Sequence, residues 1–202
     1  VNCTIANNGA GCGLEEGGGG VYAGYDCFPR LINCILWDNY RDCSPSPVPD
    51  QILAVENITV SYSCIQDGYA GTGNTAQNPA FFGSGYFLSF GSPCIDSGTS
   101  DGTTFADIDG NGRYDHPATP NTGGGASPFF DIGAREYQND TDGDGVPDDG
   151  DEGGAVGNNP CTGGATTGCD DNCISIPNPA QGDADGDGAG DDCDNCPLYP
   201  NG

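Results

Sequence analysis

Apolar side chains fall at every second position in Val1, Cys3 and Ile5, again in Ile32, Cys34 and Leu36, and again in Ile58, Val60, Tyr62 and Cys64. A period of two belongs to a β-strand with one buried face. The strands recur: "NCTI" at Asn2, "NCIL" at Asn33, "SCIQ" at Ser63 and a degenerate "PCID" at Pro93 set Cys3, Cys34, Cys64 and Cys94 at intervals of 31, 30 and 30 residues. A constant offset predicts equivalent positions in successive turns of a repeating structure. Between the strands, the Gly-rich "EEGGGGVYAGY" and the proline cluster "SPSPVPD" predict corners and loops.

The fold these patterns predict is mainly β: a right-handed parallel β-helix of about three coils and a closing segment, over residues 1–138. A β-sandwich is the plainer alternative, and it leaves the 30-residue period without a cause. Cysteines stacked in one inward row hold their Cβ atoms too far apart for a staircase of disulfides, so the row is expected to be buried thiols. Cys12 and Cys43 each lie nine residues after a ladder cysteine and are the candidate disulfide of this half, with Cys27 unassigned.

Residues 139–202 carry no such alternation. They hold 15 of the 30 carboxylates and none of the four arginines, which fall with the other 15 carboxylates in residues 1–138. Two stretches dominate: "DTDGDGVPDDGD" from Asp140 and "DADGDGAGDDCD" from Asp183. Ca2+ takes hard oxygens at positions 1, 3, 5, 7 (a carbonyl), 9 and 12 of such a loop, with glycine at 6. The first stretch supplies Asp140, Asp142, Asp144, the Val146 carbonyl, Asp148 and Asp151; the second supplies Asp183, Asp185, Asp187, the Ala189 carbonyl, Asp191 and Asp194. A solvated acidic linker would not place Gly145 and Gly188 at the same offset twice. "ISIPNPA" carries two prolines where a flanking helix would stand, so these are not paired-helix calcium hands. "DIDGNGRYD" offers a weaker third spacing, with Asp107, Asp109, Asn111, the Arg113 carbonyl and Asp115, but Ala118 at position 12. A polar turn accounts for it equally well.

"DDNCISIPNPAQGDADGDGAGDDCDNCP", from Asp170 to Pro197, resembles a thrombospondin type 3 repeat. The resemblance covers about the last 60 residues and implies calcium ions wrapped by extended chain, with Cys173 joined to Cys193. Cys161 and Cys169 enclose a Gly/Thr loop and are candidates to pair, which leaves Cys196 over. The first 138 residues, through "GGGGVYAG", "PRLINCILWDN", "GSPCIDSGT", "DIDGNGR" and "DIGAREYQ", are similar to the parallel β-helix repeats of bacterial surface and secreted proteins and their closing segment.

Charge then narrows the function. A net charge of −26 with no lysine makes nucleic acid an improbable partner and cations the natural one. Twelve cysteines point to an oxidising compartment. No run of about 18 apolar residues offers a membrane span. The chain begins and stops mid-pattern, which predicts a piece of something longer or a subunit completed by neighbours. Polysaccharide cleavage is weighed and disfavoured: lyase chemistry wants a basic residue, and the lone His116 sits beside Pro117. Asp26, Asp38, Asp42 and Asp67 are the carboxylates open to a glycosidase pair, and Trp37, Tyr40 and Phe28 the aromatics open to stacking on sugars. The expectation is no enzyme: an extracellular or cell-surface, calcium-stabilised structural or adhesive protein. Its expected partners are copies of itself in a head-to-tail filament, surface or matrix components, or carbohydrate. At least two Ca2+ are expected. Asn2, Asn57 and Asn139 open N-glycosylation sequons.

Overall fold

A computed structural model describes residues 1–11, 18–42, 46–55, 57–83, 85–104, 106–110, 112–116, 119–126, 128–150 and 156–201. Among them there is no helix; the regular structure is β, in strands of two or three residues. The chain divides into two compact units, one of Val1–Ile108 with Arg113–Tyr137, the other of Asp109–Gly112 with Gln138–Gly202.

In the first unit the strands pair in parallel, in the order the chain makes them. β1 (Thr4–Ala6) lies beside β5 (Ile35–Trp37), and β5 beside β10 (Cys64–Ile65). β2 (Gly9–Gly11) lies beside β6 (Tyr40–Asp42), β3 (Val21–Ala23) beside β8 (Ile52–Ala54), and β4 (Arg30–Ile32) beside β9 (Thr59–Ser61). β7 (Val48–Pro49) adds antiparallel to β6, and β11 (Phe81–Phe82) forms a hairpin with β12 (Phe87–Leu88).

The strands stop where side chains with a local hydrogen-bonding option let the backbone turn. Asn2 and Asn7 bracket β1, Asn33 and Asp38 bracket β5, and Tyr62 and Asp67 bracket β10, all with φ between 47° and 66°. Asn and Asp enter this left-handed region at less cost than other non-glycine residues. Five of these six corners are Asn or Asp, Tyr62 being the sixth, whereas the sequence pattern assigns corners to the Gly and Pro clusters. Those clusters fall partly on residues 12–17 and 43–45, outside the described residues, and the Cys12–Cys43 pairing lies outside them too.

The cysteines do not form the single row that their spacing predicts. Partners lie 31 residues apart in β1–β5, where Thr4 faces Ile35, but 29 apart in β5–β10, where Ile35 faces Cys64. Cys64 is therefore one residue out of step with Cys34, and a one-residue slip sends a side chain to the other face. Cys34 packs with Leu36, Val60 and Ile65, against Ile5, Val21 and Leu31. Cys64 packs with Ile35, Leu88, Cys94, Ile95 and Ile132. The β1–β5–β10 sheet thus has two buried faces where alternation predicts one, and Ile35 and Leu36, on opposite faces, are 1% and 0% exposed. Cys34, Cys64 and Cys94 are buried thiols, as expected, but Cys3 is exposed.

The described residues of the first unit between Ser89 and Tyr137 close over the second face with polar groups as well as apolar ones. Asn33 clamps Thr99 through both its amide atoms, each bond 2.8 Å. Asp131 accepts from the Asp96 amide at 2.8 Å and the Tyr137 amide at 2.5 Å, while Glu136 pairs with Arg113, which stacks on Phe130. Three carboxylates are thus buried in this closing segment, and only Glu136 among them pairs with the buried guanidinium of Arg113. Burial pushes Asp96 up to about 6 and Glu136 up to about 7, and Asp131 well above the usual range.

The second unit has no described strand. Two disulfides hold it, Cys161–Cys169 and Cys173–Cys193, with Cα atoms 4.9 and 5.6 Å apart. Val146 is buried against the first of them. Gln181, fully buried, donates to the side chains of Asp171 and Asn178 and accepts from the Asn172 amide.

Candidate metal centre

The two acidic loops repeat one construction atom for atom. In the first, Asp140 receives the amides of Gly143 and Gly145 on its two oxygens, at 2.8 and 2.9 Å; in the second, Asp183 receives those of Gly186 and Gly188, at 2.7 and 3.2 Å. Asp142 Oδ1 accepts from the Asp144 amide and Asp185 Oδ1 from the Asp187 amide, each at 3.2 Å. Asp144 Oδ1 takes the Val146 amide and Asp187 Oδ1 the Ala189 amide. These bonds curl each loop so that its first three aspartates turn inward together. Gly145 and Gly188 hold φ of 94° and 97°, a turn open to glycine at little cost.

Asp140, Asp142 and Asp144 thereby offer carboxylate oxygens that all lie within 4.8 Å of one another, and so do Asp183, Asp185 and Asp187. Inside each triad one oxygen is buried with no hydrogen-bond partner: Asp142 Oδ2 in the first, Asp185 Oδ2 in the second. Burial raises the pKa of both aspartates, and the neighbouring carboxylates raise it further. An unpaired buried anion among like charges is costly, and a cation removes that cost. The donors are all oxygen, the set a hard cation takes. The residues present fit Ca2+.

The ninth positions do something else. Asp148 receives the Thr141 amide at 2.9 Å, the Thr141 hydroxyl at 2.7 Å and the Asn139 side chain. Asp191 receives the Ala184 amide at 2.9 Å. Both carboxylates tie the start of their loop to its later half. At the seventh position the Val146 side chain anchors the first loop in its apolar cluster, while Ala189, smaller, is half-buried.

Other sequence-derived candidates fare differently. Asp151 and Asn111 lie outside the described residues. Asp107, Asp109 and Asp115 form no metal-capable group among the described residues. Asp107 accepts from the Glu136 amide, and the Arg113 side chain is buried against Glu136 and Thr104. Asp26, Asp38 and Asp67 occupy left-handed corners, a backbone role. His116 is buried, its ring edge-on to Tyr137 and bonded to Thr119, and burial lowers its pKa. Of the aromatics, Trp37 packs on the core, whereas Phe28 is exposed. Asn2 donates to Thr104 and Asn139 to Asp148, which leaves Asn57 as an exposed sequon without such a bond. Among the described residues no helix is long and apolar enough to cross a membrane.

Comparison with protein-family models, curated proteins and solved structures finds no match for this chain.

Proposed function

We propose that this chain is an extracellular, calcium-stabilised structural or adhesive protein. On this reading the first unit is a right-handed parallel β-helix with its closing segment, and the second is a thrombospondin type 3-like segment whose fold depends on Ca2+. The observation that carries the reading is the matched pair of aspartate triads, each with one buried oxygen that has no hydrogen-bond partner and that a cation would satisfy. The parallel pairings near 30 residues support the β-helix, and the two disulfides support an oxidising compartment. Arg113 is buried and paired and Arg41 is paired with Asp50, and the chain has no lysine, so there is little cationic surface for a polyanion.

Assembly is the less supported part of the expectation. A filament stacked coil on coil needs two open ends, and the edge of β10 is taken by Thr75, through Ile65 N to Thr75 O at 2.9 Å. A polysaccharide-binding role draws on Tyr22, Tyr25 and Phe28, exposed within one short stretch.

Calorimetric titration of the purified chain with calcium, with circular dichroism and light scattering in parallel, tests the proposal. Uptake of at least two ions with compaction, reversed by chelator, is expected. No uptake at millimolar calcium overturns it.

A further inference from the structure

The geometry points to a divided first loop: we infer that its closing carboxylate is Asp171, reached across an inserted segment, and that Asp151 is dispensable for the ion. The inference rests on the calcium reading of the triads and deepens it.

The second loop is continuous, so it serves as the template. There the twelfth residue, Asp194, donates its amide to Gly190 O at 2.8 Å, and Gly190 is the eighth residue of the loop. Asp194 Oδ1 accepts from the Cys196 amide at 2.9 Å, and its Oδ2 is buried with no partner. Seven residues on, Asn201 donates its amide to Asp187 Oδ2 at 2.7 Å.

Asp171 repeats every one of these relations in the first loop. Its amide donates to the carbonyl of Pro147, again the eighth residue, at 3.0 Å. Its Oδ1 accepts from the Cys173 amide at 2.8 Å, and its Oδ2 is buried with no partner, in a residue only 2% exposed. Seven residues on, Asn178 donates its amide to Asp144 Oδ2 at 2.7 Å. The sequence carries the same correspondence, "DNCISIPN" from Asp171 against "DNCPLYPN" from Asp194. The charges crowding the third-position aspartates match as well: Asp144, Asp171 and Asp140 around Asp142, and Asp187, Asp194 and Asp183 around Asp185.

Asp191 and Asp194 are 3 residues apart and Asp148 and Asp171 are 23 apart, so 20 residues are inserted into the first loop. The ends of the insertion meet: a Cβ on Gly150 would stand 2.3 Å from the Cys169 carbonyl oxygen, so glycine is required for that approach. Cys161–Cys169 and the Cys161 amide to Asp170 O, at 2.7 Å, pin the returning end of the insertion. An insertion whose ends touch leaves the ring around it unchanged, and a short disulfide-closed loop limits the entropy it adds.

The test is calcium calorimetry on four variants beside the wild-type chain. Asp171→Asn is expected to lose one ion or bind it at least about tenfold more weakly, and Asp194→Asn is expected to do the same at the second loop. Asp151→Asn is expected to match wild type within about twofold. Excision of residues 150–169 rejoins Asp149 to Asp170, removes Asp151 and both cysteines of one disulfide, restores the 3-residue spacing, and is expected to keep the wild-type ion count. A lost ion in Asp151→Asn with none lost in Asp171→Asn overturns the assignment. Where Asp171→Asn does not fold, Asp151→Asn decides: its loss of an ion is equally fatal. Absence of uptake by the wild-type chain is a different failure, which removes the calcium reading itself and the assignment with it.

Discussion

At the scale of single residues, the second unit spends its stability on carboxylates that want a cation. Asp142→Asn and Asp185→Asn each remove a buried oxygen without a partner. Each is expected to weaken calcium binding at its own loop by at least about tenfold and to leave the other loop unchanged, read by calorimetry. In chelator the same substitutions are expected to raise the thermal midpoint of the second unit, since a crowded buried charge is gone. Asp96 gives the first unit a pH dependence of known sign. Its pKa is raised from 3.8 to about 6, so between those values the folded state holds a proton that the unfolded chain has released. Stability is then fully present below about 4 and falls as pH rises through 6. Asp96→Asn is expected to flatten that fall, and equal slopes for variant and wild type between pH 4 and 7 would refute it. The first three aspartates of each loop were legible in the sequence as a cluster because their spacing is rigid. The place of Asp171 was hidden, because 20 inserted residues move a ligand out of any fixed spacing.

At the scale of elements, the alternating runs fall on β1, on β4 and β5, and on β9 and β10, but they run straight through the corners at Asn33 and Tyr62 and predict one buried face where there are two. Strand alternation cannot distinguish an apolar residue buried on one face of a sheet from one buried on the other face under a segment that comes later in the chain. The slip from a 31-residue to a 29-residue register, which sends Cys64 to the second face, is concealed by cysteine spacings of 31 and 30. Ile35 is the residue that feels this most, since it packs under the closing segment with Cys64, Cys94 and Ile132. Ile35→Ala is expected to cost about 2–5 kcal/mol in chemical denaturation. Asn33→Ala removes a left-handed corner residue and both bonds to Thr99. It is expected to cost about 2 kcal/mol more than Asn7→Ala, whose corner lies on the exposed rim.

At the scale of the whole molecule, the two units answer to different conditions. The first is held by two apolar clusters and the polar closing network, the second by disulfides and its acidic loops. Chelator is therefore expected to open the second unit alone, giving two separate thermal transitions by calorimetry where calcium gives closer ones. Three thiols sealed inside the first unit carry a last consequence, for the order of events during synthesis. Cys34, Cys64 and Cys94 are at most 1% exposed, while four other cysteines are already paired. Burial raises Cys34, and the neighbouring Cys64 thiol raises Cys94, so both resist forming the thiolate that exchanges disulfides. In a nascent chain they have no such protection. The first unit is expected to close before an oxidant reaches them: each parallel strand finds its partner about 30 residues away, and early closure would spare the cysteines of the second unit from a wrong match.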